Sequence, residues 1–318
     1  MTTFNRQPTI HGVRTLPTFF IVGAPRCGTT AMSRYLSKHP KICFARPKEP
    51  HFFTSPLATS DTLNLQRDYI ERFYGHCSHE NRILGEGSVS YLYSKDALEH
   101  ILRINPNARF IVMLRSPVAM LQSYHARLLY ILQEDVGDFR QAWQLQSLRA
   151  QGRRVPPTCS DPRHLQYTEI GRLGSYLEQI FSLAGRQRCH VIVFDDFISD
   201  PSTTYRGVLS FIGAKDDGRS VFSPVRSNRR YRSRWLQRLV KRPPTLFVGG
   251  VHPHAPKSER KRSLLKRAQK RLQNWNTINE PRAKLDSRMH RELAQTFRGE
   301  IMKLSELLER DLSHWVDG

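Results

Sequence analysis

The chain has 318 residues, 39% of them hydrophobic and 25% charged. That is the composition of a soluble globular protein, with room for one large α/β domain or two small ones. No run approaches the roughly 18 apolar residues of a membrane span, and the first 17 residues lack the apolar core of a secretory signal, so the expected setting is cytoplasmic. The five cysteines, Cys27, Cys43, Cys77, Cys159 and Cys189, are odd in number and widely scattered, with no CxxC spacing. They predict reduced thiols, with neither a disulfide nor a zinc site.

The net charge of +22 attracts polyanions: nucleic acid, anionic polysaccharide, anionic lipid or phosphorylated small molecules. Between Ser223 and Gln273 there are 16 Lys and Arg against one acid, Glu259, a surplus of 15 out of that 22. The rest of the chain is nearly balanced, so the basicity is regional.

In chain order, residues 17–23 (PTFFIVG) read as a buried strand ending in Gly, followed by a helix over 29–38. Ile42–Phe44 predicts a short strand. Arg109–Leu114 (RFIVML) predicts another buried strand, and Ser116-Pro117 then opens a helix running to about Tyr130. Residues 151–162 read as a polar surface loop, 168–184 as a helix, and His190–Phe194 (HVIVF) as a third clear buried strand. Asp200-Pro201 starts a helix ending near Gly213. Residues 241–258, rich in Pro and Gly, predict an irregular segment, and helices over about 258–274 and 285–309 close the chain. Strands alternating with helices predict an α/β fold: a central parallel sheet flanked by helices, with a C-terminal helical extension. The expected layout is an N-terminal segment (1–16), an α/β core (17–222) and a basic segment with closing helices (223–318) completing the same domain.

Three motifs carry chemistry. Gly23-Ala-Pro-Arg26-Cys27-Gly28-Thr29-Thr30 stands where strand turns to helix. Its spacing is that of the nucleotide phosphate loop, with Thr29 in place of the lysine. Backbone amides and a helix N-terminus still hold an anion there, and Arg26 supplies a cation. The strand Arg109–Leu114 ends in Arg115, where a triphosphatase has a magnesium-holding acid. Arg115 and Ser123, two turns into the next helix, offer a guanidinium fork and a hydroxyl for a second phosphate. In Lys48-Glu49-Pro50-His51-Phe52-Phe53, an extended chain would put Glu49 and His51 on one side, and either is a candidate general base.

Together the first two motifs resemble the sulfotransferases that use 3′-phosphoadenosine 5′-phosphosulfate (PAPS), in the branch of the heparan-sulfate-modifying enzymes and their bacterial relatives. The resemblance runs from about Thr18 to Gly213 and returns weakly in residues 304–315. It implies that Arg26, Cys27, Gly28, Thr29 and Thr30 hold the 5′-phosphosulfate, and that Arg115 and Ser123 hold the 3′-phosphate. It also implies that Glu49 is the base, with His51 as the rival used in the small-molecule branch, and that no metal is needed. Residues 85–93 (GEGSVSYLY) are similar to a family stretch that lines the sulfuryl pocket. Gly87 stands there in place of a catalytic Lys, leaving Lys48 or Arg46 to supply that charge and Ser88, Ser90 and Tyr91 as pocket residues. The implied acceptor is a hydroxyl, less readily an amine, of a carbohydrate or small molecule, with the basic region guiding an anionic one. Two rivals are a phosphate-loop kinase or nucleotidase, against which Thr29 and Arg115 argue, and a nucleic-acid binder, which leaves all three motifs unexplained.

Overall fold

The computed structural model describes residues 16–55, 62–77, 83–223, 230–241, 259–278 and 285–317. The expected N-terminal segment and the irregular 241–258 segment lie almost wholly outside them. The chain divides into two compact units, residues 1–120 with 170–225 and 290–318, and residues 121–169 with 226–289.

The first unit is built on a parallel sheet of β1 (Phe19–Gly23), β2 (Ile42–Phe44), β3 (Ile83–Glu86), β4 (Arg109–Leu114) and β5 (Cys189–Val193), in the order β2-β3-β1-β4-β5. Every residue of β1 is buried, as is all of β4 after Arg109. Such strands lie inside a sheet covered on both faces, which is why they are continuous apolar runs. β1 is central, pairing with β3 through Phe19 and Gly85 and with β4 through Ile21 and Ile111. Because all five strands are parallel, the loops after β1, β2, β3 and β4 emerge at one edge of the sheet. The chain moves to one side of β1 for β2 and β3, then crosses to the other for β4. The carboxyl edge beside such a reversal is where open α/β sheets bind ligands.

The helices follow the local signals. Pro117 opens the helix Pro117–Tyr130, and the Asp200 carboxylate caps Pro201–Ile212 by accepting from the Ser202 and Thr203 N–H groups at 3.1 and 3.0 Å. The helix expected over 168–184 is instead two, Tyr167–Ile170 and Leu173–Ala184. The Phe297 ring sits 2.3 Å from where a Cβ on Gly171 would lie, so the break receives that ring. The C-terminal stretch packs on the residues after β5: Trp315 Nε1 donates to Asp195 at 3.1 Å, and Arg310 pairs with Asp196.

One cysteine expectation is overturned. Cys43 and Cys77 form a disulfide, their Cα atoms 5.9 Å apart across 34 residues. Helix Thr62–Tyr74 returns the chain to β2, where the Arg46 N–H donates to the Phe73 carbonyl at 3.0 Å and the Cys77 N–H to Tyr74 at 2.8 Å. The proximity is tertiary and leaves no local spacing to read. His76 Nε2 lies 3.5 Å from Cys43 Sγ, and the three side chains gather within 4.8 Å, a metal-ligand type of cluster that sequence spacing does not predict. Thiol titration of the denatured, unreduced protein should therefore find three thiols, Cys27, Cys159 and Cys189; finding all five would show the pair reduced.

The second unit contains the helices Phe139–Gln144, Gln146–Ala150, Arg234–Lys241 and Glu259–Asn276, and an antiparallel pair of two-residue strands, Arg230–Tyr231 with Thr277–Ile278. At its centre Arg149 and Glu134 are fully buried and joined by two hydrogen bonds of 2.6 and 2.7 Å. The loop over 151–162 is tied down where Gln133 accepts from the Ser160 N–H at 2.7 Å.

Candidate active site

The loop after β1 enters the helix Thr29–Leu36 at Gly28, whose φ of 89° lies in the left-handed region. A Cβ there would also stand 3.0 Å from the Phe197 ring, so the position needs glycine twice over. No side chain caps this helix, and its first N–H groups have no partner within the helix itself. Thr29 is buried, whereas Thr30 is exposed at the helix start. Arg26 is half-buried with φ 66°. The Cys27 side chain is not placed to touch a ligand: it is fully buried and its thiol donates to the Pro25 carbonyl at 3.5 Å. Burial pushes that thiol up to about 12, against the opposing pull of Arg115 and Arg26. Both guanidinium charges therefore act at this loop.

Arg115 leaves the end of β4 with its guanidinium 4.6 Å from the Phe194 ring centroid, just past β5. Stacking on a ring face fixes the plane of the fork while its N–H donors point outward from the edge. Ser123, in the second unit, is buried on helix Pro117–Tyr130.

After β2 the chain forms a tight loop rather than an extended segment. Glu49 and His51 both have positive φ, 64° and 52°. Two left-handed residues fold the loop back, and Glu49 Oε2 comes within 3.7 Å of His51 Nε2. Lys48 Nζ forms an ion pair with Glu49 Oε1. His51 Nδ1 is 2.7 Å from Ser90 Oγ. A carboxylate, an ammonium and an imidazole thus share one partly exposed surface. The two candidate bases are neighbours, as expected, but a turn brings them together.

Lys48, not Arg46, is the cation at this point: Arg46 is exposed, and its charge is felt by His76, whose imidazole is held below its ordinary value first by burial and then by Arg46. Gly87 has little room for a longer side chain, because a Cβ there would lie 3.1 Å from the Phe44 ring. Ser88 and Tyr91 are fully buried and hold the loop from behind. The Ser88 hydroxyl accepts from the His51 N–H at 3.1 Å, and the Tyr91 hydroxyl accepts from the Phe53 N–H at 3.3 Å. Behind both lies Glu86, the last residue of β3, a fully buried carboxylate inside the stretch similar to the family's pocket lining; the local sequence does not show its partner, because Tyr69 comes from a distant helix.

Residues 16–237 match a family model described as the sulfotransferase domain. Human carbohydrate sulfotransferase 15 is 28% identical over 282 residues, covering 70% of this chain and 49% of that protein. Mouse heparan sulfate glucosamine 3-O-sulfotransferase 3A1 is 26% identical, covering 64% and 47%. The chain spans about half the length of these curated relatives. Among solved structures, a sulfotransferase from Alicyclobacillus acidocaldarius shares the fold, with a TM-score of 0.64, 24% identity and coverage of 94% of this chain and 98% of that one. No helix among the described residues is long and apolar enough to cross a membrane. With the family model spanning most of the chain and the five-stranded sheet matching, this protein belongs to the sulfotransferase family.

Proposed function

We propose that the protein transfers the sulfuryl group of PAPS to a hydroxyl, less readily an amine, of a carbohydrate or small-molecule acceptor. The observation that carries this reading is the Glu49 carboxylate on the loop after β2, at the same sheet edge as the anion-holding loop after β1. Glu49 takes the acceptor proton as the acceptor oxygen bonds to sulfur. The bond between sulfur and the phosphate oxygen breaks, and the bisphosphate leaves with the bonding electrons. The amides of Gly28–Thr30 and the Arg26 guanidinium receive that negative charge, and Lys48 supplies the cation that Gly87, having no side chain, does not. The relatives named for carbohydrate and heparan sulfate substrates favour a sugar acceptor, and the basic stretch 223–273 suits an anionic one; residues 224–229 and 242–258 of it lie outside the described structure. Incubation with sulfur-labelled PAPS and a panel of polysaccharides, glycolipids and small alcohols should label a carbohydrate. Labelling of amines alone would reject hydroxyl transfer.

The 3′-phosphate assignment to Arg115 has its own test. Adenosine 3′,5′-bisphosphate should raise the melting temperature well above what AMP achieves, since only it offers a 3′-phosphate to the arginine. Ligand stabilisation reaches about 2.7 kcal/mol at a concentration 100 times Kd. Equal shifts from the two nucleotides would reject the assignment.

A further inference from the structure

We infer that Glu86 is the positioning residue of the candidate base, acting through Ser88 on the backbone of the loop that carries Glu49. The inference rests on the reading of Glu49 as the base. The Glu86 carboxylate accepts from the Ser88 hydroxyl at 2.8 Å and from the Tyr69 hydroxyl. A hydroxyl has a single proton. Once Ser88 gives its own to Glu86, only its lone pairs face the loop, and these accept the N–H of His51. The acceptor-only carboxylate thus sets the direction of the relay.

The loop needs this support. Non-glycine residues at positive φ, here Glu49 and His51, cost on the order of 1–3 kcal/mol each and persist only where their surroundings hold them. An amide at position 86 would break the logic. Its NH₂ would donate to one of the two hydroxyls, turning that proton away from residue 86 and, at Ser88, towards the His51 N–H.

The test reads amide exchange and turnover together. In the intact protein the His51 amide should exchange slowly. Ser88→Ala should speed exchange at His51, and Glu86→Gln should do the same. Unchanged exchange at His51 in both would overturn the relay. Turnover is followed as labelled sulfate released from PAPS to water, which needs no identified acceptor. Ser88→Ala should lower kcat roughly 10- to 100-fold with KM for PAPS unchanged, but by less than about 2-fold in a Glu49→Gln background, where no base remains to be misplaced. Equal losses in both backgrounds would leave Glu49 as the base and overturn positioning. A Glu49→Gln enzyme with undiminished kcat would overturn the base and the inference with it. If Ser88→Ala does not fold, Glu86→Gln carries the same cycle through His51.

Discussion

Replacing Glu49 by Gln should lower kcat by about 10² to 10⁴, the usual contribution of a positioned general base, while binding of the bisphosphate product persists. The substitution keeps the shape of the side chain and removes its ability to take a proton. His51→Asn should cost less. The imidazole is bonded at Nδ1 to Ser90 and lies 3.7 Å from Glu49 at Nε2, so its place is beside the carboxylate, as a neighbour that fixes its direction. Steady-state kinetics on both variants, with nucleotide binding measured by calorimetry, decides between them. A larger loss from His51→Asn would make the imidazole the base. A loss of nucleotide affinity in Glu49→Gln would place that carboxylate in binding rather than proton transfer.

The second large effect concerns stability. Arg149→Met should cost about 3–5 kcal/mol, because it strands the Glu134 carboxylate in the interior of the second unit without a countercharge. At about 1.5 °C per kcal/mol for a chain of this length, the melting temperature should fall by roughly 5–8 °C. Glu134 also accepts from the Tyr167 hydroxyl at 2.7 Å and from the Val136 N–H at 3.0 Å. Burial alone would raise its carboxyl; the Arg149 bonds, with those of Val136 and Tyr167, outweigh burial and hold it below the ordinary carboxylate range. A carboxyl depressed in the folded state stabilises fully above its unfolded value, about 4.3. That contribution is lost as pH falls towards the folded value. The acid limb of the stability curve should therefore flatten in Arg149→Met. An unshifted melting temperature would show that the pair does not hold the unit.

The parts of the fold legible in the sequence are those whose signal is local. β1, β4 and β5 are apolar runs, and Asp200-Pro201 and Ser116-Pro117 announce their helices. β3 escaped because Ile-Leu-Gly-Glu is four residues long and contains a glycine. Helix Thr62–Tyr74 and helix Lys95–Ile104 are absent from the elements read above, although the second has a local signal in Ser94, which caps it by accepting from the Ala97 N–H at 3.2 Å. In the candidate site, Arg26, Gly28 and Arg115 stand out in the sequence because phosphate-loop and strand-end spacings are short-range, whereas Glu49 is singled out over His51 only by the family resemblance. Cys27 matched the motif, yet its thiol faces the core; a spacing rule does not say which way a side chain points. The Cys43–Cys77 link and the hydroxyls around Glu86 depend on Tyr69 and Cys77 returning from a distant helix. Tertiary structure alone creates those contacts.

The central place of β1 constrains how the chain is made. Its residues leave the ribosome before either of its partners, residues 83–86 on one side and 109–114 on the other. Until β4 has been synthesised, the Phe-Phe-Ile-Val strand has at least one open edge, and such an edge recruits other chains. Pairings this far apart in sequence form slowly. The nascent first unit therefore spends the time of about ninety further codons with its most apolar strand incompletely paired. A fragment that stops before Arg109 should aggregate, whereas one that passes Val193 carries every strand of the sheet.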